Sequence, residues 1–246
     1  MLVLDRVAKH FGGLRAVDQV SFEVNAGEIV GLIGPNGSGK STTLNLITRV
    51  YPLTSGAISF EGRDITHLAT HQVIRAGIAR TFQNIRLFNN LTVWENLWVA
   101  VRGQGGSGWK RWFTMDQSAR AWIDDILGYC HLRHRRNDLA GHISFGEARR
   151  LEVARGMAAD PRLLMLDEPA AGMNAAEIAE LIDTIRSLRQ RGTTILLIDH
   201  VLDLVMNVAE RVVVLNFGQK LAEGSPASLR ANPEVRAAYL GTTEHP

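Results

Sequence analysis

The sequence has little cysteine, little net charge and no long apolar run. Its one cysteine, Cys130, excludes an internal disulfide framework and suits a reducing compartment. A formal net charge of +2, with basic residues scattered along the chain, gives no electrostatic case for nucleic acid. No stretch approaches the roughly 18 to 20 apolar residues that cross a bilayer. The longest, such as Ile195 to Ile198, have the length of a buried strand. Asp5, Arg6 and Lys9 interrupt any signal-peptide core at the N-terminus. The expectation is a chain neither secreted nor integral, one that at a membrane works as a peripheral partner.

What the sequence does hold is a 46% hydrophobic content, ample for a sizeable core. Leu2 to Val7 and Val20 to Val24 alternate apolar and polar residues around a turn at Gly12 and Gly13, which predicts antiparallel strands. Further strands are expected at Glu28 to Ile33, Ala57 to Phe60, Ile78 to Phe82, Arg162 to Leu166, Thr193 to Ile198 and Glu210 to Leu215. After Asn174, Ile178, Leu181, Ile182, Ile185 and Leu188 recur at helical spacing, and Gly192 closes that helix. Ser225 to Leu240 reads as two short helices. Strands alternating with helices imply a parallel sheet covered on both faces.

From Leu91 to Ala159 the pattern is mainly helical, with a break at Gly103 to Gly108. Trp94, Trp98, Trp109, Trp112 and Trp122 all fall there. This shift predicts one α/β domain over 1–246, in which a helical lobe, 91–159, is inserted into a lobe made of 1–90 and 160–246. Trp94 and Trp98 share a helical face suited to lobe core, whereas Trp109 and Trp112 flank Lys110 and Arg111 as candidates for an exposed contact.

The strongest motif is GPNGSGKS, Gly34 to Ser41, which fits the phosphate-binding loop G-x-x-x-x-G-K-[ST] in full. It follows a buried strand and opens a helix. Gly34, Pro35, Asn36, Gly37, Ser38 and Gly39 let the backbone curl, so that its N–H groups and the helix N-terminus face phosphate oxygens. Lys40 is expected to reach the β- and γ-phosphates of ATP, Ser41 to help hold Mg²⁺, and Thr42 to continue the site. The run RLLMLDEP ends a strand on two acids: Asp167 as a Mg²⁺ ligand and Glu168 as the general base toward water. At Ser144 to Glu147, S-x-x-E before a helical run is by itself a capping box. With small Gly146 beside it, that helix start also suits an anion.

Together these segments resemble the ABC ATPase family over essentially the whole chain, with its P-loop core, antiparallel β subdomain and inserted α-helical subdomain. The family signature LSGGQ corresponds to ISFGE here, with Phe145 for a glycine and Glu147 for a glutamine. The resemblance implies that Ser144, Phe145, Gly146 and Glu147 meet the γ-phosphate held by an opposite subunit, so that hydrolysis needs a head-to-tail dimer. It also implies a Mg²⁺- and water-contacting role for Gln83, a γ-phosphate contact for His200 and adenine stacking for Phe11. In isolation, Gln83 is a polar strand end, His200 a cap or core residue, and Phe11 equally a core aromatic. Where the family usually carries a coupling aspartate, this chain has Asn174.

Stretches such as FGGLRAVDQVSFEV, TFQNIRLFNNLTVWENL, DEPAAGMN and NPEVRAAYLG resemble the branched-chain amino-acid importer ATPases of LivG type. That likeness implies a second, similar ATPase subunit, two transmembrane permease subunits and, indirectly, a periplasmic or extracellular solute-binding protein. It places the chain on the cytoplasmic face of the inner membrane. Two other readings stay open at this point. One is a soluble ABC ATPase acting on DNA or ribosomes, although the single phosphate loop and the lack of a heptad run do not favour it. The other is a regulatory module that binds ATP without turnover, against which Glu168 and His200 stand.

Overall fold

The computed structural model describes residues 1–81, 85–102 and 117–240. Two sheets stand side by side. The smaller has the order β2-β1-β4-β5, from β1 (Leu2–Phe11), β2 (Leu14–Val24), β4 (Ser55–Phe60) and β5 (Arg63–Asp64), and its pairings are antiparallel. The larger has the order β10-β9-β3-β8-β7-β6, built from β3 (Ile29–Ile33), β6 (Ile78–Arg80), β7 (Leu163–Asp167), β8 (Thr194–Ile198), β9 (Arg211–Asn216) and β10 (Gln219–Gly224). Its strands are parallel except for the β9–β10 hairpin.

β3, β7 and β8 are buried at every position, as a sheet covered on both faces requires. Successive residues therefore serve two cores in turn. Ile33, Leu164, Leu166, Ile195, Leu197 and Val212 belong to one cluster, which continues into Leu97, Ile126 and Leu151 of the helical region. Leu32, Leu163, Met165, Leu196, Ile198 and Val213 belong to the other, shared with Leu4, Val20 and Phe60 of the antiparallel sheet and with Leu44 and Ile47. Strand alternation thus ties the central sheet to both neighbours.

The helices follow the chain as α1 (Lys40–Ile47), α2 (Thr70–Arg75), α3 (Val93–Arg102), α4 (Gln117–Tyr129), α5 (Phe145–Ala158), α6 (Ala175–Gln190), α7 (Leu202–Val208), α8 (Pro226–Ala231) and α9 (Pro233–Leu240). Leu181, Ile185 and Leu188 of α6 are buried, while Ile178 and Ile182 flank the core. Trp94 and Trp98 of α3 stack at 5.3 Å and lie partly buried against the core. Trp109 and Trp112 lie outside the described residues. No described helix is long and apolar enough to cross a membrane.

The parallel order carries the strand ends that matter to one edge. Leu32 and Asp167 both pair with Ile198, so β3, β7 and β8 end level with one another. Open α/β sheets bind ligands beyond such carboxyl ends.

Candidate functional site

Beyond β3 the chain turns through Gly34 to Gly39 into α1. The turn needs glycine at two places for different reasons. At Gly34 an added Cβ would stand 2.2 Å from the Leu215 carbonyl and 2.5 Å from Ser38 Oγ. Gly39 has φ 101°, in the left-handed region, and an added Cβ would meet the Ala16 carbonyl at 2.5 Å. The hairpin between β9 and β10 props the loop, with Gly218 N donating to the Ser38 carbonyl at 3.2 Å.

Several features show that this loop fits a triphosphate. No side chain caps α1, and no acidic residue sits in its first turn, so its leading N–H groups and positive end are kept for an outside anion. Ser38 Oγ is buried without a hydrogen-bond partner among the described residues. Lys40 is buried and its ammonium donates to the carbonyls of Gly34 at 2.6 Å and Pro35 at 2.9 Å. Burial pushes its pKa below the ordinary lysine value, while the Glu168 carboxylate pulls it back up. The cavity of about 490 Å³ over the loop is lined by Asn36 to Thr42 and by Glu168, with Leu14, Arg15, Ala16 and Phe217 at its rim.

Asp167 is the last residue of β7. Its backbone N–H donates to Thr81 Oγ1 at 3.2 Å, and Oδ2 accepts from Arg80 at 2.7 Å. Arg80 also reaches Asn45 of α1 at 2.7 Å, so one guanidinium links the acidic strand to the helix behind the loop. A hydroxyl from Ser41 and a carboxylate from Asp167 are hard oxygen donors, the set that Mg²⁺ prefers.

Glu168 follows with φ 49°, a left-handed conformation uncommon outside glycine. Its N–H donates to the Ile198 carbonyl at 2.7 Å, which fixes the bend against β8. His200 Nδ1 lies 3.8 Å from Glu168 Oε2 and 3.6 Å from Asp199 Oδ1. Asp199 is fully buried and accepts from the N–H groups of Ala170 at 2.9 Å and Val201 at 2.8 Å. Burial drives its pKa above the usual carboxylate value, and those two amides oppose the rise.

At the start of α5, Ser144 and Glu147 form a reciprocal capping box: Ser144 Oγ accepts from Glu147 N, and Glu147 Oε2 accepts from Ser144 N at 2.8 Å. Ser144, Gly146 and Glu147 line a separate, polar cavity of about 760 Å³ with Arg135, His134 and Glu177. The phosphate loop does not line that cavity. Phe145 is 46% exposed.

Phe11 is 42% exposed, so it is not core; it packs edge-on against Tyr51 at 5.4 Å and stands outside the lining of the loop cavity. Gln83 lies outside the described residues. Sequence reasoning missed Arg80, Thr81, Asp199 and Phe217. Phe217 is 87% exposed at φ 47° on the cavity rim, and only the proximity of its hairpin to the loop brings it there.

A phosphate loop and an acidic strand end delivered to one edge of a parallel sheet, flanked by an antiparallel sheet and a separately capped helix, define an ATP-binding cassette. The model of the ABC transporter family matches residues 17–171, and that of the branched-chain amino acid ATP-binding cassette transporter matches 219–245. The chain belongs to the ABC transporter family, among its branched-chain amino-acid transport ATP-binding proteins, and is an ATPase of that family. It is 43% identical to the high-affinity branched-chain amino acid transport ATP-binding protein LivG of Salmonella typhimurium, over 98% of both chains. It is 39% identical to the corresponding protein BraF of Pseudomonas aeruginosa, again over 98% of each. Among solved structures it is similar to the ADP conformation of an ATP-binding cassette of an ABC transporter, with 32% identity, 98% of both chains covered and a TM-score of 0.87.

Proposed function

We propose that this chain is the ATP-hydrolysing motor subunit of an importer for branched-chain amino acids or related small polar solutes. The names of its relatives and the family match at residues 219–245 support the solute class. In this reading it pairs with a second ATPase subunit and drives two transmembrane permease subunits that receive solute from a binding protein. Its place is then the cytoplasmic face of the membrane. Residues 1–90 and 160–246 form the nucleotide-holding lobe, and 91–159 the lobe that carries the signature and faces the permeases.

One observation carries the reading. The loop cavity joins the phosphate cradle to Glu168, whereas Ser144 and Gly146 line a different cavity of the same chain. Each chain thus offers two half-sites, and a head-to-tail pair completes both. Backbone N–H groups of Gly34 to Thr42 and the Lys40 ammonium bind the triphosphate, and Phe11 stacks on the base. Ser41, Asp167 and Gln83 would hold Mg²⁺, which would supply positive charge against that developing on the phosphates. Glu168 accepts the proton of the attacking water. His200, oriented by buried Asp199, reaches the γ-phosphate, and Ser144 with the Gly146 amide closes over it from the opposite subunit.

The test is Glu168→Gln. ATP binding is expected to persist while steady-state phosphate release stops and a closed dimer accumulates. Undiminished turnover would remove Glu168 from the role of base.

A further inference from the structure

Three contacts join the signature segment to the start of α6 and the loop before it within one chain. Gly146 N donates to Glu177 Oε1 at 3.2 Å. The Phe145 ring faces Gly172, where an added Cβ would lie 3.2 Å from Cζ. Arg149 of α5 donates to the Ala171 carbonyl at 3.3 Å. Glu177 is the centre of this arrangement, because its second oxygen, Oε2, accepts from Asn174 N at 2.9 Å. One carboxylate therefore spans the leading amide of α6's cap and an early amide of α5.

The cap of α6 requires only one of those oxygens. The other sits on an N–H that no intrahelical carbonyl can satisfy, at the positive end of α5. The fit there is close. A Cβ at position 146 would fall 2.6 Å from Glu177 Oε1 and 2.8 Å from Cδ. In the single chain, the amide assigned above to the partner's nucleotide already holds an anion.

We propose that Glu177 is a positioning residue whose carboxylate is exchanged for the γ-phosphate of a nucleotide held by a second copy of this chain. The proposal rests on the in-trans reading of Ser144 and Gly146. Two anions on one N–H repel at short range, so closure requires Oε1 to leave Gly146. Oε2 keeps its hold on Asn174, and the displacement is passed to the loop between Asn174 and Glu168. The near end of that loop is tied to the groups around Glu168, because Ala170 N donates to buried Asp199, which lies 3.6 Å from His200 Nδ1. Arrival of the partner's phosphate is thereby reported to the general base of the receiving chain. A carboxylate three residues past Asn174 thus supplies a coupling charge that Asn174 itself lacks.

The experiment reads ATP-driven dimerisation of the full chain carrying Glu168→Gln, by light scattering across an ATP titration. Adding Glu177→Gln keeps an acceptor for Asn174 N but removes the competing charge. The half-point for dimerisation is expected to fall about tenfold, the scale of one charged hydrogen bond. Nucleotide affinity at low protein concentration, where the chain is monomeric, is expected to stay the same. Glu177→Ala, which also loses the cap, is expected to lower the thermal midpoint yet shift the half-point in the same direction. A Glu177 that only caps α6 would leave the half-point unchanged or raise it, and either result overturns the exchange. Ser144→Arg in the same background separates the two layers. If it still pairs, the in-trans reading falls and the exchange with it; a parent that stays monomeric at saturating ATP overturns the exchange with a second copy of this chain. If Ser144→Arg abolishes pairing while Glu177→Gln changes nothing, the exchange alone is wrong.

Discussion

In the folded chain the Lys40 ammonium is buried against the carbonyls of Gly34 and Pro35, so the loop is already shaped around a cation. Lys40→Ala removes that charge from the phosphate site, and nucleotide affinity should fall about ten- to a hundredfold, as expected for a lost charged hydrogen bond. Equal affinity in a calorimetric titration would count against the assignment. Arg80 was invisible in sequence, since its partners Asp167 and Asn45 come from other elements. The Arg80–Asp167 pair is nearly buried, with 13% and 8% of the side chains exposed. Arg80→Met leaves a buried carboxylate without its partner and should cost about 3 kcal/mol in urea unfolding without nucleotide. A loss below about 1 kcal/mol, the scale of a surface pair, would show that the pair contributes little.

Among the elements, those with strict apolar patterning were read well. β3, β7 and β8 have continuous apolar runs, and α6 has its stripe, its Asn174 cap and Gly192 beyond its end. Where local rules break, the sequence pattern departs from the fold. The expected strand ended at Val7, yet β1 continues to Phe11, because an irregularity in its pairing and φ 44° at Arg6 interrupt the period of two. β10 has no strand pattern in the sequence, because QKLAEG is an exposed edge strand in which polar residues replace alternation.

The α5 cap was read from S-x-x-E, but its electrostatics needed Arg135 and His134 from a preceding turn. Burial raises the Glu147 pKa. The hydrogen bonds from Arg135, Ser144 and His134 outweigh it and bring the carboxyl down to about 2. Because the folded value lies below the unfolded one, this stabilisation is present above pH 4.5 and disappears as pH falls toward 2. The stability difference between the natural chain and Glu147→Gln should therefore hold steady above pH 4.5 and shrink below it. A difference that stayed constant to pH 2.5 in denaturant titrations would refute the assignment.

On the scale of the whole molecule, the nucleotide is a structural ligand as well as a substrate, since its cradle joins the loop, the β9–β10 hairpin and β7. ADP with Mg²⁺ at a hundred times its dissociation constant should add about 2.7 kcal/mol of stability, because it binds only the folded chain. For a chain of this size that is a rise of roughly 5 to 10 °C in thermal midpoint. Lys40→Ala should show a much smaller rise at the same concentration. An equal rise would mean that the nucleotide is held elsewhere.

The sequence by itself determined the class of chemistry, because a phosphate loop, an acidic strand end and a capping box are each set by residues a few positions apart. It also determined most strands and the long helices, whose periodicity is local. Only the tertiary structure decided which of these meet. Strand order, which no local pattern encodes, sets Glu168 over the phosphate loop, lays Arg80 on Asp167 and brings Glu177 onto the Gly146 amide. Those pairings depend on burial shared between elements far apart in the chain, and that is a property of the packed sheet rather than of any segment in it.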